Sequence, residues 1–336
     1  MTMFFPDLSV SPRDDKQAQA LAYWQHYGDL RRNEVWRWTP LDALRTPARR
    51  FEAADYQFSL DDSVTENFGS DDADQALLSL KDAPFTALNL AFLADALLLN
   101  VPAGAEVAEL NAINIDMFAR RLQCSRVHIR AEEQSKSAFW LDFNVTQEGA
   151  QLPVLTIEAA ENTEVDVALC FNGSRGSAQV AQVLVRQAQG SRVRLNALQS
   201  NGALIRLDIT ALIEGSETHF AFGGVQLLQG EEVGDIHVNV RHLVEGGESH
   251  QIVRGALADQ TLGIFDGMIY VAHGAQQTDA RQDSRYILLS DEARSHSVPR
   301  LEIYADDVQC AHGSTTGKID AEALFYLQSR GISLAN

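Results

Sequence analysis

From about Val107 to Asp307 the chain runs in short stretches in which apolar residues recur at every second position or gather in brief blocks. Examples are V-H-I-R at 127–130, F-W-L-D-F at 139–143, V-L-T-I at 154–157, V-D-V-A-L-C-F at 165–171, V-A-Q-V-L-V at 180–185, V-R-L-N-A-L at 193–198, L-I-R-L-D-I at 204–209, I-H-V-N-V at 236–240 and G-I-F-D-G-M-I-Y-V at 263–271. Period-two alternation marks strands with one buried face. Gly149, Gly173, Gly190, Gly202, Gly215, Gly230 and Gly246–Gly247 punctuate the runs at short intervals, so the pattern predicts one long all-β domain. A sandwich or barrel fits this pattern, and so does a parallel β-helix in which each coil covers the next.

The flanks read differently. Residues Arg13 to Tyr27 favour a helix with an apolar side at Ala18, Leu21, Ala22 and Trp24. Thr39-Pro40 interrupts any helix that follows, Leu41 to Leu44 restarts one, and Trp36 and Trp38 read as packing anchors. Asp55 to Asp82 is acidic and lacks ligand-glycine spacing, which predicts a solvated connector rather than a metal loop. The stretch from Pro84 begins as a helix and ends as a strand before Pro102 and Gly104. Near the C-terminus Leu301, Ile303, Tyr304 and Val308 suit strands, and Val308, Cys310 and His312 share one face if the strand continues. Gly313 and Gly317 then bracket a turn, with Asp320 as N-cap of a helix carrying Ala323, Leu324 and Leu327.

Composition narrows the function classes. A chain of 336 residues with 45% hydrophobic content buries a sizeable core, as one large or two ordinary domains. Its net charge of −19 opposes binding to phosphate backbones and anionic lipid. No apolar run is long enough for a membrane helix and the N-terminus shows no signal-peptide pattern, so the expectation is a cytoplasmic protein. Cys124, Cys170 and Cys310 are far apart with no C-x-x-C pair, which argues against a disulfide framework or a self-contained cluster site, and the first two read as structural. Eight histidines besides His312 form no H-x-x-x-H pair, and neither a phosphate-binding G-x-x-x-x-G-K-[ST] loop nor a G-x-S-x-G elbow is present. Asp306 and Asp307, being adjacent on a strand, point to opposite faces and do not form an acid/base pair. The remaining candidate chemistry is Cys310 with His312: thiolate and imidazole both ligate iron, and two ligands require a partner to supply the rest.

The residues around that pair carry a resemblance. Leu301, Glu302, Ile303, Asp306, Asp307, Val308, Cys310, His312, Gly313, Gly317, Phe325, Tyr326, Leu327, Ser329, Arg330, Gly331 and Ile332 resemble the C-terminal signature of the SufB/SufD family of iron-sulfur cluster assembly proteins. Arg254-Gly255, Phe265, Gly267, Ala275 to Ala280, Leu288 to Ser290 and Pro299 extend the match. Glu34, Trp36, Trp38, Thr39, Pro40 and Leu41 are similar to the N-terminal pattern of the SufD branch, and Phe85, Leu88, Asn89, Ala91, Phe92, Asp95, Val101, Pro102 and Gly104 to its entry into the core. The resemblance implies a mainly β fold: a right-handed parallel β-helix at 85–312, an N-terminal helical region with its acidic connector at 1–84, and a C-terminal helical segment at 313–336. It implies a non-enzymatic scaffold that pairs with SufB and docks the ATPase SufC, with homodimer or heterodimer left open for the isolated chain; the missing phosphate-binding loop argues that the chain binds no nucleotide itself. His312 first, and Cys310 second, would hold a transient iron-sulfur cluster shared with SufB at the subunit interface. Family members continue past the R-G-I motif into a segment that helps dock SufC; here the sequence stops at Asn336, which implies either a truncated sequence or a reduced docking surface and weakens the expectation of SufC binding. Gln276 to Asp279 are expected to make ladders or turn contacts between coils. Rival readings are a β-helix carbohydrate-active enzyme and a homomeric interaction protein without metal chemistry.

Overall fold

The computed structural model describes residues 11–27, 30, 33–44, 51–69, 76–77, 80, 83–93, 95–118, 121–318 and 321–333. The alternating stretches form two facing sheets that the chain visits in turn. One sheet holds β4 (Ala96–Val101), β6 (Leu122–Ala131), β8 (Gly149–Ala159), β10 (Ser177–Gln187), β12 (Leu204–Ile213), β14 (Val233–His242), β16 (Leu262–Val271) and β18 (Arg294–Ile303) in spatial order. The other holds β5 (Asn111–Met117), β7 (Lys136–Val145), β9 (Glu164–Asn172), β11 (Arg192–Ser200), β13 (His219–Leu228), β15 (Glu248–Leu257), β17 (Thr278–Leu288) and β19 (Val308–Lys318). Each of these strands pairs in parallel with the strand two places on, so one strand from each sheet makes a coil and the coils stack as a parallel β-solenoid. Pattern alone left a sandwich or barrel open; the parallel ladders decide for the β-helix.

Inward side chains fill the space between the sheets. Val165, Val167, Leu169 and Phe171 of β9 are all buried, and Phe143 stacks on Phe171 with ring centres 5.0 Å apart. A polar line runs through this apolar interior. Gln151 donates to Gln123 (2.8 Å) and Gln179 to Gln151 (2.9 Å), while each amide also reaches a main-chain carbonyl of the facing sheet. Further along, Gln226 donates to Gln199 across 2.8 Å. Stacked amides satisfy one another from coil to coil, where a lone buried amide would cost about 1–3 kcal/mol. Gln276 to Asp279 make turn contacts: Gln276 donates to His273 O and accepts from Asp307 N, and Thr278 donates to Ala275 O.

The N-terminal end of the solenoid is closed by strands that composition did not announce. β1 (Phe51–Ala53) pairs with β6, β2 (Tyr56–Ser59) runs antiparallel to β5, and β3 (Thr65–Gly69) runs antiparallel to β4. Part of the acidic stretch expected to be a solvated connector is therefore a strand cap. Its side chains are mostly exposed, so it contributes backbone hydrogen bonds with little apolar burial, and its composition resembled a loop.

Helix α1 (Asp15–His26) starts where Asp14 accepts from Gln17 N at 2.8 Å, and α2 (Pro84–Phe92) starts with proline in its first turn. The expected restart after Thr39-Pro40 is a short 3-10 turn, Leu41–Leu44. Trp24, Trp36 and Phe85 pack together over the outer face of the first sheet, with Leu122, Cys124 and Leu152 beneath them. Cys124 is structural, as expected: fully buried, with its thiol pushed up by that burial.

A charged latch ties this N-terminal layer to the solenoid. Arg206 is wholly buried beneath Trp36, its guanidinium 3.6 Å from the ring centre. It donates to both oxygens of Asp208 (2.8 and 2.7 Å), to Asp235 (3.1 Å), to Thr39 Oγ1 (2.6 Å) and to the carbonyl of Val35 (3.1 Å). Burial pushes the Asp235 carboxyl up, but the charges of His237 and Arg206 and the Thr39 hydroxyl outweigh it and hold the group at about 2.

Candidate functional site

The C-terminal coil is built from the same alternation with its outer sides left open. Thr278, Ala280, Gln282, Ser284 and Tyr286 of β17 face the interior. The register sets Val308, Cys310, His312, Ser314 and Thr316 of β19 over them in that order. Cys310 and His312 therefore share one face, as the spacing predicts, above Ala280 and Gln282. The expected turn at Gly313 to Gly317 is absent: β19 is continuous through Lys318, and the added Cβ at Gly317 would meet nothing within 4 Å. These glycines lie in extended backbone on an open edge, where a side chain is simply not required. Asp320 falls outside the described residues. Helix α3 (Ala321–Ser329) follows, with Phe325, Tyr326 and Leu327 exposed.

Cys310 and His312 differ in setting. Cys310 is half-buried against Ile269, Val271, Ala275, Ala280 and Ala305. Burial pushes its thiol up, a backbone hydrogen bond from Ala280 works against this, and the charge of Asp279 adds to it. His312 is exposed at the mouth of the interior. Beside the pair, Ser284 and Ser297 share a 2.7 Å hydrogen bond and Ser295 and Thr316 one of 2.8 Å, which links the two sheets across the last coil. Among the described residues no three His, Cys, Asp or Glu side chains come together as a metal-binding group. A thiol and an imidazole two residues apart can supply two ligands to iron, fewer than a cluster needs.

The surroundings of the pair add what residue spacing did not show. No described strand pairs with the outer side of β19 or of β18. β19 spans 11 residues and bears one charged side chain, Lys318 at its end; β18 contains Pro299, which has no N–H to offer, and carries Arg294, Arg300 and Glu302. A long, nearly uncharged open edge presents a row of unpaired N–H and C=O groups to another strand. The low charge of residues 308–317 was the available signal. Cys170, also expected to be structural, is half-exposed on the outward side of β9.

Residues 113–336 match the family described as SUF system FeS cluster assembly, SufBD core domain. The chain is 34% identical over 132 residues to the iron-sulfur cluster assembly protein SufD of Escherichia coli, covering 39% of this chain and 31% of that protein. It is 30% identical over 178 residues to SufD of Bacillus subtilis (53% and 39%). It is 29% identical over 254 residues to the chloroplastic protein ABCI7 of Arabidopsis thaliana (71% and 53%). The chain thus spans about a third to a half of the length of these relatives.

Proposed function

The chain belongs to the SufBD family of the SUF iron-sulfur cluster assembly system, and on that premise we propose that it is a scaffold subunit, without catalysis of its own, that pairs with SufB through β19. The observation that carries this reading is the open, low-charge edge of β19, because the strand that invites pairing is the one that bears Cys310 and His312. An added strand would gain main-chain hydrogen bonds along the edge and place its own side chains beside the thiol and imidazole. Iron and sulfide are then cargo: His312 and Cys310 hold a nascent cluster from one side and SufB completes it. His312 is the stronger ligand, since it is exposed and has no thiol proton to lose. The exposed aromatic face of α3, with Phe325 72% exposed, is where the ATPase SufC would dock. The setting is the cytoplasm; no helix among the described residues is long and apolar enough to cross a membrane.

Co-expression with SufB and SufC, anaerobic purification, and iron and sulfide analysis test the reading. The expected result is a stable complex whose cluster content falls sharply in His312→Ala and less in Cys310→Ser, with assembly intact in both. Unchanged iron and sulfide in His312→Ala removes the ligand role. If the wild-type chain elutes without SufB, or only as a dimer of itself, the scaffold role with SufB fails.

A further inference from the structure

A cavity of about 460 Å³ lies on the outer face of the first sheet beneath the N-terminal layer. Its floor is made of outward residues of five adjacent strands, β10 to β18 of the first sheet, with Gln182, Asp208, His237 and Asp266 in one row and Asn239 and Arg300 in the next. Val35 and Leu80 lie over it, and Val35 is held in place because its carbonyl accepts from Arg206. The volume lies within the range of small-molecule sites.

The wall sorts into groups already engaged and groups left over. Both oxygens of Asp208 accept from Arg206, and Asp266 pairs with Arg300, so the carboxylates are neutralised within the protein. The groups left over are mostly cationic or donors. Arg241 lies over the Tyr270 ring at 4.2 Å and has no carboxylate within ion-pair distance among the described residues. Arg300 Nε is buried without an acceptor. His237 is 92% buried and lies between two carboxylates, its Nε2 2.8 Å from Asp235 and its Nδ1 3.9 Å from Asp266. Asn239 Oδ1 is buried without a donor, and Leu212 and Met268 add apolar surface. Buried polar atoms without partners are costly, and several facing one cavity are satisfied together by a ligand.

We propose that this cavity binds a small organic oxyanion bearing a hydroxyl group, with Arg241, Arg300 and His237 facing the anion and Asn239 accepting from the hydroxyl. A site free of net negative charge on a chain of net charge −19 selects such an anion locally where the protein as a whole repels it. The site is independent of the cluster-assembly role, since neither Cys310 nor His312 lines it.

Calorimetric titration of the full chain with 3-phenyllactate, glycerol 3-phosphate and glycerol tests the proposal. Saturable one-to-one binding of either anion, with no binding of glycerol, is expected; which anion binds assigns carboxylate or phosphate. Loss of a charge-assisted hydrogen bond in Arg241→Gln should weaken binding about ten-fold. Arg241 is only partly buried and outside the Arg206 latch, so that variant should keep the wild-type melting temperature, and His237→Gln gives a second reading wherever it folds. The proposal is overturned if neither anion binds at millimolar concentration, if glycerol binds equally well, or if folded Arg241→Gln binds unchanged.

Discussion

The two ends of the solenoid solve the same problem in opposite ways. At the N-terminal end β2 and β3 pair antiparallel with β5 and β4, and Val64 closes over the interior. At the C-terminal end β18 and β19 have no described partner on their outer sides. The interior changes along the same axis: β9 turns Val165, Val167, Leu169 and Phe171 inward, while β17 turns Thr278, Ala280, Gln282, Ser284 and Tyr286 inward. A closed end can be apolar because nothing must reach it. An open end can carry hydroxyls, amides, a thiol and an imidazole, at a cost in core stability, and on the reading proposed above it is where a partner and metal chemistry would enter.

The largest effect should come from the latched side. Arg206→Ala leaves Asp208 and Asp235 facing a cavity without their guanidinium, and breaking a buried pair in this way costs about 3–5 kcal/mol. Urea unfolding should show that loss. Arg206→Met, which refills the space below Trp36, should not rescue it while Asp235 remains charged, and Arg206→Met with Asp235→Asn should recover part. A small effect in Arg206→Ala would mean that the N-terminal layer is held by packing alone.

The interior of the C-terminal half carries a proton-sensitive group. His242 is fully buried, its Nε2 2.9 Å from Ser249 Oγ, and burial lowers its folded value to about 4 from 6.5. The unfolded chain takes up the proton first, so this contribution to stability is whole above pH 6.5 and is lost as pH falls from 6.5 to 4. The loss reaches about 3 kcal/mol. Denaturant unfolding from pH 7 to pH 4.5 should show the slope in wild type and a shallower one in His242→Leu; equal slopes would assign the acid sensitivity elsewhere.

Glycines measure how tightly each region is packed. A Cβ on Gly255 would lie 2.3 Å from the buried ring of Tyr286, so Gly255→Ala should cost about 1–3 kcal/mol through overpacking. Gly317 on β19 has nothing within 4 Å of that position, and Gly317→Ala should stay within about 0.5 kcal/mol of wild type. Thermal melts of the two variants compare filled and open coils directly.

Legibility followed the same division. Strands whose inward residues are apolar, such as β7, β9 and β11, stood out by alternation. β17 did not, because T-D-A-R-Q-D-S-R puts polar residues on both faces. The thiol and imidazole were placed on one face by period two alone, and Gly313 and Gly317 misled because glycine marks turns more often than open edges. The latch was hidden for another reason: Arg206 and Asp208 alternate with apolar residues and so read as solvent-facing, and what buries them is a segment 167 and 171 positions away at Thr39 and Val35. Alternation reports which residues share a face, and only tertiary contact reports what covers it.

The smallest effect on the isolated chain should be the most informative about function. Ala311→Lys with Thr315→Lys puts two charges on the outward side of β19, where both residues are exposed and no described element packs. Exposed substitutions of this kind change stability by about 0.5 kcal/mol or less. Charged lysines on an edge strand nevertheless block the approach of a second strand. Size-exclusion chromatography with SufB should therefore show loss of the complex while the melting temperature of the variant holds. The matching pair on the closed side, lysines on the exposed face of β7, should leave the complex intact. If the β19 pair assembles normally, the open edge is not the surface that meets the partner, and the contrast between the two ends would be one of packing alone.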